Sequence, residues 1–123
     1  HALPDIAGMN PEGFVEGEAG EAVIPFTHRE NMLIGLGDPA GGEDDSISAI
    51  WRLRDLALQQ GLRLAFWQVG DSFVRIYNDI GLNVWPLEDG SRTHLCYPPG
   101  DIALVSRFVK TYTDNKTAPN VPL

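Results

Sequence analysis

The densest set of residues able to do chemistry is Gly37-Asp-Pro-Ala-Gly-Gly42, placed between the apolar run Met32-Leu-Ile-Gly-Leu36 and a helix-like stretch from Ser46 to Gln60. A glycine-rich turn between a strand and a helix aims backbone N–H groups and the positive end of the helix dipole at one point, which suits an anion. The spacing is not that of a Walker loop, which needs Gly-Lys-Ser/Thr, nor that of a dinucleotide fingerprint in register. Glu43, Asp44 and Asp45 follow at once and repel phosphate. On physics alone the loop therefore reads first as a structural turn and second as a ligand loop. If it binds, Gly37, Asp38 and Gly41 are the candidate substrate-binding residues, because a turn at the carboxyl end of a strand faces the crevice where open α/β sheets take their ligands.

The other candidates are weaker. His28, His94 and Cys96 include a His-x-Cys pair, but zinc needs three or four convergent ligands at a recognised spacing, so no metal site is expected. Ser46, Ser48, Ser72, Ser91 and Ser106 stand in no G-x-S-x-G context, which leaves a hydrolase triad without an anchor. Trp51, Trp67 and Trp85 fall on expected core elements and read as packing rather than as stacking platforms. No cofactor is implied, and no catalytic residue can be assigned.

The elements that must position the loop follow from periodicity and punctuation. Ala22–Thr27 reads as a short strand, confined by Pro25 to an edge or a strand end because proline cannot donate to a ladder. His28-Arg-Glu-Asn31 reverses the chain into Met32–Leu36, with Asn31 the residue that best tolerates left-handed backbone. Ser46 is the expected N-cap of a helix whose stripe is Ile47, Ile50, Leu53, Ala57 and Gln60, widened by Trp51, Leu56 and Leu58, with Gly61 ending it. Leu62–Val69 is a central strand. Asp71 or Ser72 caps a second, shorter helix with Phe73, Ile76, Tyr77 and Ile80 inward, Gly81 ends it, and Leu82–Leu87 is the next strand. That order favours a parallel pair joined by a crossover helix. Further on, a turn at Glu88–Ser91, a short strand at Thr93–Tyr97, a helix from Ile102 to Thr111 and a disordered tail are expected. The fold class is α/β with a mixed sheet: residues 1–21 an irregular lead-in or linker, 22–112 one domain, and 113–123 the tail.

Composition narrows the function classes. The chain has 123 residues, 43% of them hydrophobic, enough for one real core. Its net charge of −8, from 17 acids against 9 Lys and Arg, predicts little direct affinity for nucleic acid, where phosphate neutralisation supplies most of the binding. One cysteine excludes an internal disulfide, and no run approaches the roughly 20 apolar residues that cross a bilayer.

Taken together, Met32-Leu-Ile-Gly-Leu-Gly-Asp-Pro-Ala-Gly41, Ile50-Trp-Arg-Leu-Arg-Asp-Leu56, Ala65-Phe-Trp-Gln-Val69 and Tyr77-Asn-Asp-Ile-Gly-Leu82 resemble the cytosolic C-terminal domain of bacterial phosphatidylglycerol lysyltransferases, the multiple peptide resistance factor family. The resemblance spans residues 22–87; residues 88–123 do not align. It implies a GNAT-like acyltransferase half-domain, a β-hairpin followed by α-β-α-β. It also implies a parent enzyme that moves an aminoacyl group from tRNA to phosphatidylglycerol, lowering the negative surface charge that attracts cationic peptides. Aminoacyl-tRNA and lipid would be met only through that parent, as the soluble cytoplasmic part of an inner-membrane protein, and this chain, a fragment or degenerate copy of its transferase domain, is expected to be inactive alone. A non-catalytic interaction or homo-oligomerisation domain on the same scaffold is the alternative. A coenzyme A acyltransferase is weakened by the lack of a basic or suitably Gly-rich pyrophosphate loop.

Overall fold

The computed structural model describes residues 10–87, 92–101 and 103. Its elements are β1 (Gly13–Glu16), β2 (Val23–Arg29), β3 (Met32–Leu36), α1 (Glu43–Gln59), β4 (Arg63–Val69), α2 (Val74–Asp79), β5 (Asn83–Pro86) and β6 (His94–Tyr97). The turn expected at 88–91, the helix expected at 102–111 (Ala103 apart) and the tail at 113–123 lie outside the described residues, as do residues 1–9 of the lead-in.

The strands form one six-stranded sheet in the order β1-β2-β3-β4-β6-β5. Among the described residues only β3 and β4 pair in parallel, in register from Met32↔Arg63 to Leu36↔Trp67; the remaining pairs are antiparallel. The α/β class with a mixed sheet is thus what the chain adopts, and its parallel crossover is β3-α1-β4. The parallel pair expected of Leu62–Val69 and Leu82–Leu87 does not form. β5 runs in the same sense as β4 but does not pair with it, because β6 inserts antiparallel between them. Strand order is a tertiary property, and no local signal in Leu82–Leu87 announces a neighbour that arrives later in the chain.

Three further expectations are corrected. The lead-in read as irregular through residue 21 carries β1, whose short alternation of Gly13, Phe14, Val15 and Glu16 pairs with β2. β2 is consequently an interior strand, despite Pro25. The proline is tolerated because β3 pairs with β2 only from Phe26 onward, and Ala40 takes over at Val23, so no strand on that side needs a donor from residue 25. In the β2–β3 reversal the left-handed residue is Glu30, with φ of 57°, rather than Asn31.

Side-chain alternation sends successive residues to opposite faces. One face gathers Ile24, Leu33, Leu64, Phe66, Val69 and Cys96 against Ile50 and Leu53 of α1 and Tyr77 of α2. The other gathers Met32, Ile34, Ala65, Trp67, Leu95 and Tyr97. In β4 the alternation breaks at Gln68, whose φ is +60° and which lies in the irregular stretch between the Phe66↔Cys96 and Val69↔His94 pairs. The bulge returns Val69 to the helix-bearing face, next in line to Phe66. Of the tryptophans only Trp67 is core; Trp51 and Trp85 are about two-fifths exposed, so the core role expected of them fails.

α1 begins earlier than expected. Gly42 is the N-cap and makes no side-chain cap bond, while Glu43, Asp44 and Asp45 form the first turn instead of preceding it. Ser46 sits inside the helix, fully buried, its backbone N–H bonded to the Gly42 carbonyl at 2.8 Å. The acids suit the dipole from within the first turn as well as from outside it, which removes the need for a serine cap. Phe73, not Asp71 or Ser72, stands at the N-cap of α2. Both helices end as expected, with Gly61 and Gly81 in left-handed backbone at φ of +67° and +97°.

Candidate functional site

The loop from Gly37 to Gly42 leaves the carboxyl end of β3, and Gly70 leaves the carboxyl end of β4 beside it. Asp38 joins the two. One carboxylate oxygen, Oδ2, accepts the Gly70 backbone N–H at 2.7 Å, and the other, Oδ1, accepts the Tyr77 hydroxyl of α2 at 2.8 Å. Asp38 is half-buried, whereas Tyr77 is fully buried with its ring centroid 4.5 Å from that of Phe66. Burial first, and the Asp38 charge second, push the Tyr77 phenol far above its ordinary range, so it is a fixed hydrogen-bond donor rather than an acid. The same two causes push the thiol of buried Cys96 up to about 12, which leaves it an unreactive neutral group.

The three candidate residues thus have different surroundings. Asp38 is tied to β4 and α2. Gly41 is pressed against the residues that lead into β2: at φ of +137°, a Cβ there would lie 2.6 Å from both Ala22 Cα and the Glu21 carbonyl oxygen. Gly37, at φ of +100°, would meet nothing within 4 Å and faces open space. The loop is therefore stitched to its surroundings at Asp38 and Gly41 and open at Gly37.

A second carboxylate cradle lies at the start of α1. Asp45 accepts the backbone N–H groups of Ala19, Glu21 and Ala22 at 2.7, 2.7 and 2.6 Å. Partial burial raises its pKa, but the three N–H donors and the Arg52 charge outweigh that and hold the carboxyl below the usual range. A shallow cleft of about 340 Å³, lined by Glu18, Ala19, Glu21, Asp44, Asp45 and Ser48, opens beside it. Asp45 is thereby committed to fixing the β1–β2 connection, and nothing in the acidic run singled it out from Glu43 and Asp44. His94 reaches the Val69 carbonyl at 3.3 Å and Asp71 at 3.5 Å, His28 is exposed and Cys96 is buried. Among the described residues no three His, Cys, Asp or Glu converge as a metal site.

Tyr77 and Gly70 are the site residues that sequence reasoning missed. Tyr77 was visible only as an inward apolar position, although it opens Tyr77-Asn-Asp-Ile-Gly-Leu82, and its bond to Asp38 spans 39 residues. Two of the sequence pieces behind the family resemblance, Leu36-Gly-Asp-Pro39 and this one, are joined by that single bond.

A mixed α/β sheet, with both described helices packed on one face and a glycine-rich loop at the carboxyl edge of its one parallel pair, defines an α/β domain with its natural crevice at that edge. Comparison with known proteins gives the class a family. Residues 6–95 match the family model described as phosphatidylglycerol lysyltransferase, C-terminal. Phosphatidylglycerol lysyltransferases of two Staphylococcus epidermidis strains are each 28% identical over 61 residues, covering 50% of this chain and 7% of theirs. Among solved structures, the C-terminal domain of an Agrobacterium fabrum protein described as a lysylphosphatidylglycerol synthetase superposes with a TM-score of 0.60 and 26% identity, over 68% of this chain and 26% of that one. L-PGS from Bacillus licheniformis gives 0.59 and 29%, over 71% and 28%. The chain belongs to the phosphatidylglycerol lysyltransferase C-terminal family. The match extends the resemblance beyond residues 22–87 in both directions, taking in β1 and residues 88–95. The chain spans about a quarter of the solved relatives it matches and a far smaller share of the curated ones. Among the described residues no helix is long and apolar enough to cross a membrane.

Proposed function

We propose that this chain is part of the catalytic domain of an aminoacyl-tRNA-dependent phosphatidylglycerol aminoacyltransferase, GNAT-like in fold and inactive by itself. The observation that carries the reading is the family match over residues 6–95, together with the similarity to lysylphosphatidylglycerol synthetase domains about two and a half times as long. In the parent enzyme the glycerol hydroxyl of the lipid attacks the carbonyl of the aminoacyl ester. The ester bond to tRNA breaks, the tRNA hydroxyl takes up the proton, and the lipid carries the aminoacyl group. Such a reaction chiefly needs two large substrates held in line and the developing oxyanion stabilised. Gly37, Asp38 and Gly41 form one wall of the substrate cleft, with Gly37 the open part of it. The groups that grip tRNA belong to other parts of the parent, in keeping with the net charge of −8 here. The domain works on the cytoplasmic side of the membrane, and lysyl transfer to its lipid gives resistance to cationic peptides.

The test is transfer from radiolabelled lysyl-tRNA to phosphatidylglycerol vesicles by the product of the longest reading frame containing this chain, beside the chain alone. Label in the lipid fraction from the long form only is the expected result. No label from the long form overturns the proposal. A second reading, a non-catalytic docking domain on the same scaffold, is favoured by the exposure of Phe14, Trp51, Leu58 and Trp85. It predicts concentration-dependent self-association in sedimentation and no transfer by either form.

A further inference from the structure

The Asp38–Tyr77 bond is built more firmly than a turn requires. Tyr77 is fully buried, and its ring lies against Phe66, which is itself pressed onto the β3 backbone: a Cβ at Gly35 would come within 2.5 Å of the Phe66 ring. The phenol has no room to swing, so its hydroxyl is fixed in space. With the Gly70 N–H on the other oxygen, both carboxylate oxygens of Asp38 are pinned. Each ionised carboxylate oxygen has two lone pairs, and the two bonds use one on each. Since Asp38 is only half-buried, acceptor capacity remains on its exposed side, at the carboxyl edge of β3 and β4.

We propose that Tyr77 is a positioning residue: with the Gly70 amide it holds Asp38 in one orientation at the mouth of the parallel pair, so that the remaining lone pairs meet the ammonium of the aminoacyl substrate. The inference rests on the reading of this loop as a wall of the substrate cleft. A charge-assisted contact to an ammonium is the strong form of hydrogen bond, and its value depends on the carboxylate not turning away.

The experiment uses the long form of the enzyme, with lysyl-tRNA and phosphatidylglycerol vesicles, and compares the wild type with Tyr77→Phe and Asp38→Asn. Tyr77→Phe keeps the ring and removes only the hydroxyl. Asp38→Asn removes the charge and keeps one acceptor oxygen for Tyr77, while its amide nitrogen no longer accepts the Gly70 N–H. Both are expected to lower kcat/KM for lysyl-tRNA on the order of tenfold to a hundredfold per folded molecule, with KM for the lipid unchanged and a cooperative melt retained. If transfer by the wild type is robust and both variants match it, or if activity falls only in step with the folded fraction, the inference is overturned and the functional reading stands. If the wild type itself transfers nothing, the functional reading fails and the inference falls with it.

Discussion

Asp45 fixes the connection between β1 and β2 through three backbone N–H groups, and the consequence is a pH dependence of known sign. Its folded pKa lies below the unfolded one, so its contribution is fully present above the ordinary carboxylate range of about 4 and is lost as pH falls through the lowered value. Asp45→Asn should lower Tm at pH 7 by about 5 °C or more, and the gap from wild type should close as calorimetry is taken down towards pH 2. A constant gap would assign the effect to shape rather than charge. Gly41 and Gly37 make a second pair of predictions. Gly41→Ala combines a strained φ with contacts at 2.6 Å to the backbone of Glu21 and Ala22, and should cost about 2–4 kcal/mol in urea unfolding. Gly37→Ala meets only the strain of its φ and should cost about 1–2 kcal/mol. Neither of these residue-level roles could be read from the sequence, because glycine and acid runs look alike wherever the chain puts them; what distinguishes Asp45 from Asp44 is the distant loop it meets.

At the scale of elements, the local signals served well wherever the cause was local. β3 was legible to the residue, since five apolar positions bounded by turn formers have few alternatives. The ends of α1 and α2 at Gly61 and Gly81 were also legible, because a left-handed terminus needs a residue that tolerates it. The helix starts were not: capping serines and aspartates compete with acids inside the first turn, and only the backbone decides between them. The stripe of α1 was read too wide, and its two faces give the test. Leu53 is fully buried between the helix and the sheet, while Leu58 is about three-fifths exposed. Leu53→Ala should therefore destabilise the domain by about 2–5 kcal/mol and Leu58→Ala by about 0.5 kcal/mol or less. Comparable losses would mean that Leu58 is covered by something the isolated chain already provides.

For the whole molecule, the class and family were legible, and the topology was not. The order helix, strand, helix, strand made an α/β sheet the economical solution, but the insertion of β6 beside β4 and the interior place of β2 depend on contacts between distant parts of the chain. The same holds for the Asp38–Tyr77 bond, which unites two motifs that periodicity treated separately. Charge then bears on function. On the proposed reading, a chain of net charge −8 leaves the grip on tRNA to other parts of the enzyme. The central claim is that this domain belongs to an enzyme that aminoacylates phosphatidylglycerol and that the rest of the enzyme is needed for it. Thin-layer chromatography tests it most directly, on lipids from a host that lacks aminoacylated lipids and expresses, in parallel, this chain and the longest reading frame containing it. A new spot positive for both ninhydrin and phosphate from the long form alone is the predicted result. The same spot from the short chain would contradict the need for the remainder, and no spot from either would contradict the enzymatic reading itself.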